Sequence, residues 1–145
     1  MATDAPAAAP TIPDNARTFL TALPARHGTI ATINRDGSAH QTLIWYELRG
    51  DEVIVNSRVG RRWPTNLLRD PRGTLAVYEG ADGVAVECEV VRTMEGEQAL
   101  ADISALAYRY DDPEDVPAQI DEWRRQERIT FVLRPTRVRI YGEPI

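Results

Sequence analysis

Apolar and polar residues follow two different periods along the chain, and the change falls near residue 28. Four apolar residues before that point recur at helical spacing and predict a short packing helix after Pro13: Ala16, Phe19, Leu20 and Leu23. From Gly28 onward the residues alternate with the period of two that is typical of strands. Residues 28–33 and 41–48 flank an Asp-Gly turn, and residues 53–56 follow a second turn, so we expect an antiparallel three-strand meander.

The same alternation returns in the second half of the chain. Strands are predicted at residues 74–78, 84–91, 129–133 and 138–141, the last two separated by a bend at Pro135. Helical spacing predicts helices over residues 94–110 and 113–128, and a shorter one around residues 66–69. Six or more strands without a βαβ unit indicate a mainly β, α+β protein: a six- or seven-stranded antiparallel barrel with two or three helices at its edges.

Length and composition limit the organisation of the protein. A chain of 145 residues makes one ordinary domain, and no apolar run is long enough to span a membrane. Residues 1–12 are rich in Ala and Pro and lack the pattern of a signal peptide, so we expect a disordered tail before a domain at residues 13–145. The single cysteine, Cys88, is in phase with apolar neighbours and is expected to be a buried structural thiol. A reducing cytoplasm is the expected location.

Charge separates one segment from the rest of the chain. The net charge is −5, yet all 17 basic residues are arginine, and the absence of lysine excludes Schiff-base chemistry, covalent pyridoxal phosphate included. Acids without a basic residue occupy positions 111–122, whereas five arginines face a single acid, Asp70, within residues 58–72. These five are Arg58, Arg61, Arg62, Arg69 and Arg72. The basic segment could hold an anion, and the acidic segment could not.

No group of residues predicts an autonomous active site. His27 and His40 are expected to be satisfied or solvated, and metal-ligand spacing is absent, so we predict neither a catalytic residue nor a metal site. Residues 56–72 are different, because a strand end, a Gly-containing loop, a helix start and clustered guanidiniums together hold phosphates and carboxylates. Trp63 could cover a flat or apolar part of such a ligand. A solvated basic helix is the alternative interpretation, and Trp45 suits either the core or a binding site.

The order of these segments resembles a known family. It consists of a hairpin around Arg35-Asp36-Gly37, the strands Gln41-Thr42-Leu43-Ile44-Trp45-Tyr46 and Val53-Ile54-Val55-Asn56-Ser57, then Gly60-Arg61-Arg62 and Asn66-Leu67-Leu68-Arg69-Asp70-Pro71-Arg72. This order resembles the split β-barrel flavin and deazaflavin oxidoreductases, which are pyridoxamine-phosphate-oxidase-like proteins. The similarity is greatest to their small F420-dependent branch, and it covers about residues 17–141.

The resemblance implies a split β-barrel that forms a homodimer, with two cofactor sites at the subunit interface. It assigns the cofactor's phosphate to Ser57, Arg58, Arg61, Arg62 and Asn66. It assigns the cofactor's ring to Gln41, Thr42, Leu43, Ile44 and Trp45. Many relatives have a lysine shortly before the Asn-Leu pair, where this chain has Trp63-Pro64-Thr65. The anion contact is therefore expected to rest on Arg61 and Arg62.

The implied activity is that of an F420-dependent oxidoreductase, which transfers hydride between the reduced cofactor and a small organic acceptor such as an activated double bond. FMN is the alternative cofactor. Two further hypotheses are a non-catalytic cofactor carrier or sensor, and a barrel that binds single-stranded nucleic acid. The net charge and the single basic cluster argue against nucleic acid. Independently of the resemblance, apolar residues on both faces of residues 74–78 favour a homodimer.

Overall fold

The computed structural model describes residues 10–144, so most of the predicted tail lies outside the described residues. Ile12, placed by the sequence in that tail, is buried in the core and belongs to the packed domain. The chain forms, in order, α1 (Asp14–Thr21), β1 (Gly28–Ile33), β2 (Ala39–Ile44), β3 (Glu47–Arg49), β4 (Glu52–Arg58), α2 (Arg62–Arg69), β5 (Arg72–Glu79), β6 (Asp82–Glu95), α3 (Gly96–Tyr110), α4 (Val116–Trp123) and β7 (Arg128–Tyr141). In the described part of the chain, no helix has the length and apolar character needed to cross a membrane.

The seven strands form one antiparallel sheet in the order β2-β1-β5-β6-β7-β4-β3, which confirms the mainly β, α+β split-barrel fold. The predicted three-strand meander is wrong, because β2 pairs with β1 at one edge whereas β4 pairs with β3 and β7 at the other. The chain leaves the sheet between β2 and β3 at Tyr46. The ring of Tyr46 is fully buried, and its hydroxyl donates a 2.8 Å hydrogen bond to the Leu20 carbonyl. Burial of this ring divides the strand that the sequence predicts over residues 41–48.

Three predicted element boundaries also differ from the structure. β6 continues through Met94, so α3 begins at Gly96, which has a φ of +61°. β7 runs without interruption through Pro135, because Thr136 is accommodated as an extra residue between two pairs of the β6–β7 ladder. The helix predicted over residues 113–128 is confined to α4, and the described residues contain four helices.

One continuous core lies between the strands and the first two helices. Helix α1 buries Ala16, Phe19 and Leu20 there, whereas Leu23 lies outside the helix and is 75% exposed. Cys88 is buried as predicted, and burial raises the pKa of its thiol to about 12. The thiol therefore stays protonated and unreactive at neutral pH.

Candidate functional site

Three guanidinium groups come together where β4 ends and where β7 and α2 begin. Arg58 and Arg128 lie directly opposite each other in the antiparallel β4–β7 ladder. Gly60, with a φ of +100°, turns the chain from β4 towards Arg61, the residue immediately before α2. Like charges directly opposite each other destabilise a sheet. This register therefore places two positive charges side by side, and a bound anion would reduce the repulsion between them.

Arg128 is the most constrained of the three. Its Nε donates to Asn56 Oδ1 at 2.9 Å, its Nη1 donates to Gln126 Oε1 at 2.6 Å, and its guanidinium lies 5.5 Å from the centre of the Trp123 ring. Burial, and then the two neighbouring guanidiniums, lower the pKa of Arg128 to about 10, so it remains charged at neutral pH. Within residues 10–144 none of the three arginines forms an ion pair with a carboxylate. These three uncompensated charges could hold an anion, and we call the group Arg58, Arg61 and Arg128 the anion site.

The anion site opens into a cleft of about 450 Å³, which we call the aromatic cleft. Trp45 forms one wall and stacks on Tyr110 with their ring centres 5.4 Å apart and their planes 5° from parallel. Trp123 meets Trp45 edge-on at 6.4 Å. The complete lining is His27, Leu43, Ile44, Trp45, Asn56, Arg61, Trp63, Ile103, Glu122, Trp123, Gln126 and Arg128. Its size and mixture of flat apolar and cationic groups suit a ring compound that carries an anionic group.

A second cleft, of about 410 Å³, lies beside the β1–β2 hairpin turn, and we call it the turn cleft. Arg62 and Arg69 line it together with Arg35 and the hairpin residues. Arg69 is held in place by hydrogen bonds to Asn66 Oδ1 and to the Ile33 carbonyl. The five clustered arginines of the sequence are thus divided among three places. Arg58 and Arg61 belong to the anion site, Arg62 and Arg69 line the turn cleft, and Arg72 pairs with Asp70 outside both clefts.

The structure brings together some of the residues predicted for the cofactor and separates others. Those that line the aromatic cleft are Leu43, Ile44, Trp45, Arg61 and Trp63, and those that line the turn cleft are Arg62 and Asn66. Arg58 stands across the ladder from Arg128. Gln41 and Thr42 lie nearer the start of β2 and line neither cleft.

Three of the predicted polar and aromatic site residues have structural contacts. Ser57 is 1% exposed, and its hydroxyl donates to the backbone carbonyl of the next residue at 3.3 Å. Asn66 is buried and donates to Thr32 Oγ1 at 3.1 Å, which ties α2 to β1. Trp63 is 6% exposed and packs against Phe131 with ring centres 5.8 Å apart, so only a small part of its ring faces the cleft.

Sequence analysis missed Arg128 and Trp123 as site residues, and it included Asn56 only as the start of the basic segment, without a role. Arg128 and Asn56 are 72 positions apart, and only the pairing of β4 with β7 brings them together. The one signal available in the sequence was an arginine immediately before the strand predicted at residues 129–133, at the end of a predicted helix that also carries Trp123. In the described residues, no group of three His, Cys or acidic side chains is placed to hold a metal ion.

The fold and the site together define a split β-barrel protein with a cleft lined by aromatic and cationic side chains. The family model of pyridoxamine 5'-phosphate oxidase matches residues 12–142, and the chain belongs to that family. No curated protein matches the chain.

Solved structures with the same fold bind different cofactors. An F420 reductase is 20% identical over 88% of this chain and 98% of its own, with a TM-score of 0.70. An FMN-binding protein from Syntrophomonas wolfei subsp. wolfei is 16% identical over 88% and 84%, with a TM-score of 0.63. HutZ, the heme storage protein from Vibrio cholerae, is 13% identical over 92% and 97%, with a TM-score of 0.67. These likenesses establish the fold alone.

Proposed function

We propose that the protein is an F420-dependent oxidoreductase that transfers hydride between the reduced deazaflavin and a small organic acceptor. The observation that carries the proposal is the group of three unpaired guanidiniums beside a cleft walled by tryptophan. Membership of the pyridoxamine 5'-phosphate oxidase family supports an oxidoreductase, and the similarity to an F420 reductase supports this cofactor class.

The two clefts favour a deazaflavin over FMN, the alternative cofactor. The phosphate would be held by Arg58, Arg61 and Arg128, and the ring would lie against Trp45 in the aromatic cleft. Arg61 and the adjacent Arg62 line different clefts, so a ligand held by the first can continue to the second. The carboxylates of a polyglutamate tail would occupy the turn cleft, whereas FMN has no group for it.

The bound cofactor supplies the hydride chemistry, and the chain supplies binding and orientation. The guanidiniums would bind the cofactor's phosphate, and Trp45 would lie against its ring. Together they would hold the donor in one position relative to an acceptor that enters the cleft.

The test of this proposal is a fluorescence titration of the purified protein with F420 and with FMN, together with an absorption spectrum of the protein as isolated. We expect tighter binding of F420, and Arg62→Ala should weaken binding of F420 while leaving that of FMN unchanged. A protein isolated with bound FMN, or an equal effect of Arg62→Ala on both compounds, would overturn the choice of deazaflavin. Reduction of an activated alkene by the protein with reduced F420 would show that it is an enzyme, whereas binding of F420 without turnover would indicate a cofactor carrier.

We also propose that the protein is a cytoplasmic homodimer, as its free buried thiol and exposed apolar surface suggest. Tyr78 and Tyr141 lie against each other with ring centres 5.9 Å apart, and they are 51% and 42% exposed. Ile140, beside Tyr141, is 37% exposed. Such a surface is typical of an interface.

Light scattering at micromolar concentration should therefore give twice the chain mass of 16.2 kDa. Tyr78→Glu in the same surface should shift the mass towards that of one chain, because a charge cannot be buried there without a partner. A parent protein with the mass of a single chain would contradict the proposal.

A further inference from the structure

A line of hydrogen bonds runs from the anion site into the interior of the protein. Arg128 Nε donates to Asn56 Oδ1 at 2.9 Å, and Asn56 Nδ2 donates to Thr130 Oγ1 at 2.9 Å. Thr130 Oγ1 in turn donates to Asp102 Oδ2 at 2.8 Å. Thr130 and Asp102 are at most 1% exposed, and neither touches the aromatic cleft. The site is therefore connected to a buried carboxylate that no ligand reaches.

The direction of every hydrogen bond in this line follows from the carboxylate. An ionised carboxylate only accepts, so the single hydroxyl hydrogen of Thr130 points to Asp102. The Thr130 oxygen must then accept from the amide nitrogen of Asn56, which also donates to the Ala99 carbonyl at 2.9 Å. This leaves Asn56 Oδ1 facing Arg128. The opposite amide orientation would place an NH₂ group against the guanidinium and an oxygen against the Ala99 carbonyl.

Asp102 is held in its accepting role by two further donors. Arg49 Nη2 lies 2.8 Å from Asp102 Oδ1, and Gln98 Nε2 donates to the same oxygen at 2.9 Å. The negative charge of Asp102 is thereby paired with Arg49, away from the cleft. Arg128 receives an oriented neutral acceptor and keeps its own positive charge for a ligand. A carboxylate in direct contact with Arg128 would orient the guanidinium equally well but would neutralise the site.

We propose that Asn56, Thr130 and Asp102 are positioning residues that orient Arg128 for anion binding without neutralising its charge. Two N–H groups of Arg128 are used by Asn56 and Gln126, and the remaining ones are available to an anionic oxygen. The identification of that anion as the cofactor's phosphate rests on the proposed function. The orientation of Arg128 is a property of the free protein.

The experiment uses the complete chain without cofactor and follows the Arg128 Nε–H signal by ¹⁵N NMR, with inorganic phosphate as the probe. The parent is expected to show a distinct, slowly exchanging signal that shifts as phosphate binds. Thr130→Val, which keeps the shape and removes the hydroxyl, should lose the slow exchange and bind phosphate about tenfold more weakly. Thr130→Ser should restore both within about twofold. Thr29→Val, at a half-buried position of β1 outside both clefts, is the matched control and should leave both unchanged.

Asn56→Asp provides a second and independent variant. It places a carboxylate against Arg128, so phosphate affinity should fall at least tenfold while the Nε–H signal stays ordered. Thr130→Val with an unchanged signal and unchanged phosphate affinity would overturn the proposal, even if its melting temperature fell. So would a parent that does not bind phosphate. If the phosphate results hold and neither F420 nor FMN binds, the proposed function fails and the positioning of Arg128 stands. If Thr130→Val does not fold, the results for Asn56→Asp and Thr130→Ser test the positioning of Arg128 instead.

Discussion

Replacing Arg61 and Arg128 together by alanine is expected to weaken binding of F420 by about a thousandfold. Each charge-assisted hydrogen bond to a phosphate contributes about 1.5–3 kcal/mol, so each single substitution should cost roughly ten- to a hundredfold. The two guanidiniums share one ligand group, and their effects need not add exactly. Fluorescence titration at low and high salt measures the loss, which should be smaller at high salt because part of the attraction is screened.

Arg72→Ala is the matched control for this loss of charge. The Arg72 side chain is 71% exposed, pairs with Asp70 at 2.8 Å and lines neither the aromatic cleft nor the turn cleft. F420 affinity should be the same in this variant as in the parent. If the double variant also binds like the parent, the cluster is a solvated basic surface, and the site assignment fails although the fold stands.

Alkaline pH is expected to destabilise the protein through Tyr46. Burial raises the pKa of its hydroxyl from an ordinary value of 10.0 to about 12. The folded protein therefore retains a proton that the unfolded chain releases between these two pH values. Stability from this group is fully present below pH 10 and is lost as pH rises towards 12, by about 2 kcal/mol at pH 12. Urea unfolding at a series of pH values measures the loss.

Tyr46→Phe should be less stable than the parent at pH 7 but should lose less stability at alkaline pH. At pH 7 it removes the hydrogen bond to the Leu20 carbonyl and should cost about 1 kcal/mol. Between pH 10 and 12 it should lose less stability than the parent, because it has no hydroxyl to ionise. Tyr108→Phe, at a position 53% exposed, is the control and should follow the parent. Parallel curves for Tyr46→Phe and the parent would show that Tyr46 does not control alkaline unfolding.

Local features of the fold were predictable because they depend on neighbouring residues. The β1–β2 hairpin follows from the alternating pattern on both sides of an Asp-Gly turn, and the burial of Cys88 follows from its phase among valines. The separation of β2 from β3 was not predictable. It depends on where the ring of Tyr46 finds space in the core, and that space is formed by strands and a helix distant in sequence.

The site residues also divide into those that the neighbouring sequence reveals and those that only the fold brings together. Arg61 could be found because charge, a glycine turn and a helix start fall within a few residues. Arg128 could not, because its role depends on the register between β4 and β7. Asp102 gives no signal at all in the sequence, where it is one acid on a helix. Its connection to the site exists only through Thr130 and Asn56.

The opposed pair Arg58 and Arg128 has a practical consequence for handling the protein. An anion that binds only the folded chain stabilises the protein by mass action. Once the anion concentration exceeds the dissociation constant, the gain in free energy of unfolding grows with the logarithm of that concentration. Phosphate or sulfate buffers should therefore give higher melting temperatures than buffers with weakly coordinating anions at equal ionic strength. Variants of this protein are comparable only when the anion is the same, because an apparent change in stability can be a change in anion occupancy.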